Sequence, residues 1–463
     1  MSSHKHSRRQ FLGSIPCLAL GTTTLYSSLI NLKAMNSIMG STTTVGGDYK
    51  AIVCVLLSGG NDSYNMLIPR SDAEYAEYSS VRSDLSIPQE DLLAINPQQT
   101  DGREYGLHPS MTGLRDLFEQ GNVAFVNNVG TLVEPITKTT LQNGTANVPI
   151  GLLSHIDQAM HWQTALPQDR SNLGWGGKMA DILKSMNEDT GVSMNISLGG
   201  NNLFQRGDTI TEYAINADGG VAILGWEQQA PFLQMMREDI TDMMNKEYED
   251  VFRDSYSGVL KRSVESNEVF NSAVENIMLT TEFPQSQLGQ RMEMIARSIS
   301  ARNELGAKRQ IFFVEIGGFD NHDELINAHA GLMNTVDDAF SAFFAATQEL
   351  GVSDCVTTFT ISDFARTLTS NGNGTDHAWG GSAIVMGGAV NGKNMYGDYP
   401  ILDLGNDLEI GGGILIPTTS ADEYFAEIAL WFGISPNDLS QILPNIGNFY
   451  DVGSGTGPLG FML

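Results

Sequence analysis

Short, nearly continuous runs of apolar and β-branched residues recur along the chain, separated by stretches in which apolar residues repeat every three or four positions. The first pattern is typical of strands buried on both faces, and the second is typical of amphipathic helices. The runs that predict strands are 51–57, 123–129, 194–198, 311–316, 356–361 and 383–386. The stretches that predict helices are 110–120, 155–164, 231–279, 287–305, 323–350 and 421–432.

Strands that alternate with helices predict an α/β fold, with a mainly parallel, doubly wound sheet flanked by helices. We expect one domain over residues 41–463, with a helical insertion around 231–305. A glycine run at 411–413 predicts a short hairpin at the edge. Four methionines at helical spacing predict core packing, and these are Met235, Met236, Met243 and Met244.

Residues 1–40 have the character of a targeting segment. Ser7-Arg8-Arg9-Gln10-Phe11-Leu12 resembles the twin-arginine signal motif, and a moderately apolar run follows at 15–30. The resemblance implies export to the periplasm or the cell exterior. The run is too short and too polar to predict a permanent span, so we expect no stable membrane span.

The excess of acidic residues argues against a nucleic-acid partner. Of 463 residues, 26 are Lys or Arg and 54 are Asp or Glu, which gives a formal net charge of -28. A phosphate backbone would be repelled, so we expect no nucleic-acid partner. After the signal only Cys54 and Cys355 remain, which excludes a disulfide framework and predicts two buried thiols.

Carboxylates follow three predicted strands where each strand gives way to small residues. They are Asp62, Asp320 and Asp363. Ligands collect at the carboxyl ends of parallel strands, so the three carboxylates are expected to converge on one pocket. The interval from Cys54 to Asp62 equals that from Cys355 to Asp363, which predicts carboxylates at similar height if the two strands are neighbours.

Histidines accompany these carboxylates. Asp320 and His322 are two residues apart, so in an extended segment both side chains point to one face and could share a metal. A glycine-bounded loop presents the adjacent pair Asp376 and His377. Ser154 lies where a helix is predicted to begin. It is either an ordinary N-cap residue, or a residue at a helix N-terminus that stabilises a bound anion or the serine alkoxide.

Several short motifs, with the twin-arginine start, are spread over residues 49–449. They are Gly59-Gly60-Asn61-Asp62, Leu107-His108-Pro109, Ser154-His155, Gly317-Gly318-Phe319-Asp320-Asn321-His322, Ser362-Asp363-Phe364-Ala365-Arg366-Thr367, Thr375-Asp376-His377 and Pro417-Thr418-Thr419-Ser420. Together they resemble the domain-of-unknown-function 1501 family. That family is similar in fold to the alkaline phosphatase and sulfatase superfamily, which implies an alkaline phosphatase-like fold and a two-metal centre.

The resemblance also implies roles for single residues. These are Asp62 as first-strand metal ligand, Ser154 as nucleophile, Asp320 and His322 as ligands of one metal, Asp363 as ligand of the other, and His377 as the late histidine. The superfamily has Asp-x-x-x-His where this chain has Asp320-x-His322, and Asp-His where it has Asp363-Phe364. A missing ligand would come from His155 or Asp376, so one ion, two ions or none remain open.

Two metals would clamp the attacking and leaving oxygens and lower the pKa of Ser154 or of a water. Arg366 would neutralise the remaining anionic oxygens, or form a structural salt bridge. Carboxylate and imidazole ligands favour Zn or Mn. The expected function is therefore metal-dependent hydrolysis of a phosphate or sulfate ester, with a small-molecule or polysaccharide-linked anionic substrate.

Two other functions are alternatives to ester hydrolysis by a metal. The missing Asp-His pair fits a non-catalytic periplasmic binding or assembly protein on a degenerate scaffold, which would have an exported partner protein. A serine hydrolase built on Ser154 and His155 is disfavoured, because no G-x-S-x-G elbow surrounds the serine.

Overall fold

A computed structural model describes residues 48–188, 191–220 and 230–463. The predicted signal segment lies outside these residues. The strands are β1 Lys50–Leu57, β2 Leu67–Pro69, β3 Leu93–Ile95, β4 Tyr105–Leu107, β5 Val123–Gly130, β6 Asn195–Ser197, β7 Tyr213–Asn216, β8 Gly219–Gly220, β9 Arg309–Ile316, β10 Val356–Ser362, β11 Gly381–Gly387, β12 Met395–Tyr396 and β13 Thr419–Ser420.

Helices surround the strands. They are α1 Ser63–Met66, α2 Asp72–Arg82, α3 Thr112–Glu119, α4 Lys138–Gln142, α5 His155–Thr164, α6 Trp175–Leu183, α7 Pro231–Asn245, α8 Val251–Val274, α9 Gln287–Ser300, α10 Leu325–Glu349, α11 Ala421–Phe432 and α12 Leu439–Ile442. Within the described ranges, none of them combines the length and the apolar character needed to cross a membrane.

Ten strands form the main sheet, in the order β12-β5-β11-β10-β1-β9-β6-β7-β8, with β13 also paired to β5. The central strand β1 is parallel to both of its neighbours, β9 and β10. Strand β11 is antiparallel to β10 and to β5. A smaller sheet has the order β2-β4-β3. The predicted mainly parallel α/β sheet is confirmed, with β11 as an antiparallel insertion.

The central strand β1 is apolar from Ala51 to Leu57 because both of its faces are buried there. Val53 and Val55 pack into one core, which includes residues of α3, α9 and α10. Ile52 and Cys54 pack into a second core, which includes residues of α6 and α11. Successive side chains of a strand point to opposite faces, so the two cores lie on opposite sides of the sheet. This is the doubly wound arrangement that the sequence predicts.

The long helical stretch predicted over 231–279 is two helices, α7 and α8, and the side chain of Asp250 caps the second by accepting from the Arg253 N–H. The predicted core packing of the methionine stripe is wrong for three residues. Met235, Met236 and Met243 are 63%, 37% and 61% exposed, whereas Met244 is buried. The stripe has helical spacing, but its apolar face is turned to solvent.

Two further expectations concern particular positions. Cys54 and Cys355 are buried free thiols, as predicted. Their equal spacing from a following aspartate does not reflect the strand register, because Cys54 lies opposite Phe359 rather than Cys355. The glycine run at 411–413 closes a turn with a single antiparallel bridge, Glu409 to Leu415, so the predicted hairpin is reduced to one bridge.

Candidate metal centre

The candidate site lies at the carboxyl ends of the adjacent parallel strands β9, β1 and β10, beside the first residue of α5. Close packing of two of the following loops requires glycine at position 59. Gly59 has φ 117°, and a Cβ there would lie 2.4 Å from the backbone nitrogen of Asp320. An isolated antiparallel bridge from Arg366 to His377 closes the loop after β10. These contacts hold the loop backbones against one another.

Three imidazole rings surround one oxygen of Asp320. The Nε2 atom of His322 lies 3.0 Å from the Asp320 Oδ1, and those of His155 and His377 each lie 3.5 Å from it. The atoms offered by His155, Asp320 and His377 all lie within 4.8 Å of one another. The described residues therefore include a compact group of imidazole and carboxylate ligands that could hold a metal ion.

The other ring nitrogen of each histidine, Nδ1, is hydrogen-bonded to an oxygen atom. Carboxylate and carbonyl oxygens only accept hydrogen bonds, so each Nδ1 carries the hydrogen, and in the neutral ring Nε2 keeps its lone pair. The pairs are His155 Nδ1 with Asp363 Oδ2 at 2.7 Å, His322 Nδ1 with Asp376 Oδ1 at 3.2 Å, and His377 Nδ1 with the Leu153 carbonyl at 2.8 Å. This is the pattern by which proteins orient metal-binding histidines.

The Nε2 lone pairs of the three histidines converge, and a positive charge between them would stabilise this arrangement. The Nε2 atoms of His322 and His377 lie 3.1 Å apart, and the Nε2 of His155 is buried without a hydrogen-bond partner. Two neutral acceptors at that distance repel each other, so either a cation or an additional proton must lie between the rings. The donor set fits a divalent transition metal, since neutral imidazole and ionised carboxylate are the ligand forms that such ions bind.

Burial and neighbouring charges favour those ligand forms. Burial lowers the pKa of His377, which favours the neutral ring. Burial acts to raise the pKa of Asp320, but the hydrogen bond and the charge of Arg366 outweigh it and lower that pKa. Burial raises the pKa of Asp363, against the opposing effect of its bond to His155. Asp320 is therefore ionised at neutral pH.

Arg366 is fully buried behind the cluster. Its Nη1 lies 2.8 Å from Asp320 Oδ1 and 3.3 Å from the Gly59 carbonyl. Its Nε and Nη2 donate to the hydroxyl and the carbonyl of Thr375, at 3.2 and 2.5 Å. The guanidinium thus ties three loops together and fixes the Asp320 carboxylate, which is the salt-bridge arrangement left open by the sequence.

Comparison with known proteins places the chain in a family. The model of the family described as "Protein of unknown function (DUF1501)" matches residues 49–440. The chain belongs to this family. Among curated proteins, no sequence matches it.

Solved structures that resemble this DUF1501 protein include sulfatases and alkaline phosphatases. The PsFucS1 sulfatase from Pseudoalteromonas sp. is 8% identical, with 89% of this chain and 72% of that chain covered and a TM-score of 0.35. The lipoteichoic acid synthase LtaP from Listeria monocytogenes is 8% identical, with coverage of 83% and 80% and a TM-score of 0.31. The alkaline phosphatase from the Antarctic bacterium TAB5 is 9% identical, with coverage of 74% and 92% and a TM-score of 0.26. Likenesses this distant do not bear on the chemistry of the site.

Asp62 of the DUF1501 chain is not among the side chains that meet at this centre. The chain enters α1 directly after it, and its buried carboxylate forms an ion pair with Arg82 of α2. The Oδ1 of the neighbouring Asn61 accepts from the Nε2–H of His329 at 3.0 Å. The first-strand motif therefore contributes to this region through the Gly59 backbone, whose N–H donates to Asp363.

Ser154 directly precedes His155 in the chain and caps α5, where its hydroxyl accepts from the Asp157 N–H at 3.5 Å. Two contributors were missed from the sequence. The Phe364 ring packs against both His155 and His377, with centroids 4.7 and 4.4 Å away. The Leu153 carbonyl gives no sequence signal, because any residue has one, whereas the position of Phe364 directly after Asp363 was a usable signal.

Proposed function

We propose that this DUF1501 chain is an exported hydrolase that uses a divalent transition metal, Zn or Mn, to cleave phosphate or sulfate esters. One observation carries the proposal. Three imidazoles whose Nδ1 atoms are held by oxygen acceptors direct their Nε2 atoms at one oxygen of Asp320. A cluster of this kind is costly without a cation, because it brings lone pairs together beside a carboxylate.

His155, His377 and Asp320 would hold the ion, and His322 completes the ring of donors around the Asp320 oxygen. Asp363 and Asp376 hold the rings of His155 and His322 in orientation, so both carboxylates act behind the ligands. A bound divalent ion would act as a Lewis acid and lower the pKa of a water or hydroxyl beside it. One ion suffices for this arrangement, in contrast to the two-metal centre implied by the resemblance.

The substrate would approach from the open side of the cluster. The Asp320 and His322 side chains are 47% and 43% exposed, so a small ester or one carried on a polysaccharide could reach them. Arg366 is fully buried and makes four hydrogen bonds within the protein, so the bound ion would have to neutralise the anionic oxygens of the substrate. Ser154, at the start of α5, is our candidate nucleophile, with a water as the alternative.

The test is metal binding by the folded protein. We expect purified protein to bind about one equivalent of Zn or Mn, and hydrolysis of an aryl phosphate or aryl sulfate to require that metal. Asp320→Asn and His377→Ala should each lose both properties. Asp338→Asn, which changes an exposed carboxylate on α10, and His161→Leu, which changes a histidine on α5 outside the cluster, are the matched controls.

Failure of wild-type protein to bind either metal would overturn the proposal. Metal binding without turnover of any ester would instead favour a non-catalytic binding or assembly protein. The engagement of Asp62 by Arg82 favours this second candidate, because it leaves fewer carboxylates for a two-ion reaction centre. Its test is capture of an exported partner protein that persists in Asp320→Asn.

Export is proposed from the twin-arginine motif at Arg8 and Arg9. Replacing both arginines by lysine should retain the protein in the cytoplasm, as measured by cell fractionation. An unchanged periplasmic fraction would exclude this route.

A further inference from the structure

A strained residue holds the ring of His377. Leu153 has φ 69°, in the left-handed region that costs a non-glycine residue about 1–2 kcal/mol. In this conformation its carbonyl accepts from the His377 Nδ1 at 2.8 Å. The strained backbone therefore supplies the acceptor that decides which nitrogen of His377 carries the hydrogen.

Gln158 holds Leu153 in that conformation. Its Oε1 accepts from the Leu153 backbone N–H at 2.5 Å, and its side chain is fully buried on the first turn of α5. Only the amide oxygen can accept from an N–H, so this contact fixes the orientation of the amide. The segment is secured from the other side by the Ser154 N–H, which donates to the Gly151 carbonyl at 2.9 Å.

The nitrogen of the Gln158 amide makes no hydrogen bond within the described residues. This Nε2 is buried without a hydrogen-bond acceptor among the described residues, which costs about 1–3 kcal/mol. A methionine of similar shape would avoid that cost. Of the two polar atoms of this buried side chain, only the oxygen therefore makes a hydrogen bond in the described part of the chain, and that bond is to Leu153.

We propose that Gln158 is a positioning residue for His377, acting through the Leu153 carbonyl. The Gln158 oxygen holds Leu153 in the left-handed conformation, the Leu153 carbonyl takes the Nδ1 hydrogen, and the Nε2 lone pair of His377 is then directed at the cluster. Without that acceptor, a neutral imidazole reverts to the Nε2–H tautomer that it prefers in water, and Nε2 is lost as a ligand.

The start of α5 thus controls two of the three imidazoles. It carries His155 directly, and it sets the tautomer of His377 through Gln158 and Leu153. The metal-affinity part of this inference rests on the proposed function. The tautomer part does not, because it concerns the protein without metal.

Gln158→Met is the test variant, because it keeps the shape and removes the acceptor. We expect nitrogen NMR of histidine-labelled, metal-free protein to show that His377 changes from the Nδ1–H to the Nε2–H tautomer. His155 should keep its tautomer, because Asp363 holds it independently. Zn affinity, measured by competition with a chelator, should fall about 10- to 100-fold.

Two further variants separate positioning from general stability. Gln158→Glu keeps an accepting oxygen, so His377 should keep the wild-type Nδ1–H tautomer in this variant. Leu153→Gly in the Gln158→Met background should restore it in part, since glycine adopts the left-handed conformation without strain. A purely structural role for Gln158 predicts no rescue at position 153.

The inference is overturned if His377 keeps the Nδ1–H tautomer in Gln158→Met. If wild-type protein binds no metal but the tautomer changes as described, the proposed function fails and the positioning role stands. If metal binds and the tautomer is unchanged, the reverse holds.

Discussion

The Nδ1 atom of His155 lies 2.7 Å from the Oδ2 atom of Asp363, although 208 positions separate the two residues in the chain. The contact joins the first residue of α5 to the residue that follows β10. The same Oδ2 also accepts from the Gly59 N–H, and Asp363 Oδ1 is buried without a hydrogen-bond partner among the described residues. In the proposed centre Asp363 orients the His155 ring, whereas the resemblance implies a direct metal ligand, and the variant Asp363→Asn separates the two roles.

We predict that Asp363→Asn lowers Zn affinity about 10- to 100-fold while the protein remains folded. The amide cannot hold the His155 hydrogen as strongly as a carboxylate, and it can rotate to donate its own hydrogen. Chelator competition measures the affinity and circular dichroism measures the fold. Affinity as low as that of Asp320→Asn would mean that Asp363 contacts the ion directly.

Gly59 and Gly317 give a matched pair of glycine substitutions. Gly59→Ala should destabilise the protein by about 1–3 kcal/mol and weaken metal binding, because its Cβ would meet the Asp320 backbone. Gly317→Ala should change stability by less than about 0.5 kcal/mol, since no atom lies within 4 Å of its Cβ. Urea unfolding compares the two. Equal effects would show that the close approach at Gly59 has no role.

The buried pair of Asp62 and Arg82 should contribute to stability without binding metal. Arg82→Met leaves Asp62 charged and unpaired, and we expect a loss of about 3–5 kcal/mol in the free energy of unfolding. Adding Asp62→Asn should recover part of that loss. Asp62→Asn alone should keep the wild-type metal stoichiometry, and loss of an equivalent of metal would return Asp62 to the set of ligands.

Asp422 should make stability depend on pH. Burial raises its pKa to about 8 in the folded protein. Because this value lies above that of the unfolded chain, the neutral form stabilises the fold at low pH, and stability falls as pH rises from about 4 to about 8. Asp422→Asn should remove several kcal/mol of that loss. Urea midpoints at pH 5 and pH 8 measure it, and parallel profiles for mutant and wild type would contradict it.

The elements could be read from the sequence where burial imposes a pattern. β1 is covered on both faces, so its apolar run was unambiguous, and α5 and α11 begin and end as predicted. The methionine stripe of α7 shows the limit of this reasoning. Its spacing predicts a helix, but spacing does not say whether the apolar face meets a core or solvent.

The candidate centre could be predicted only in part. A strand end and a glycine-bounded loop predict Asp320, His322 and His377 as site residues, and the structure places them together. Strand register cannot be read from equal intervals, so the expected match between Asp62 and Asp363 has no structural counterpart. The acceptor of the His377 hydrogen is a main-chain carbonyl, which leaves no trace in the sequence.

The three imidazoles come from segments far apart in the chain: the start of α5, the loop after β9 and the loop after β10. An unfolded or truncated polypeptide cannot offer them together, so an ion that binds them binds the folded state alone and stabilises it by mass action. Such an ion would act as a brace between the two halves of the polypeptide. Its removal would lower the stability of the folded protein as well as the rate of turnover.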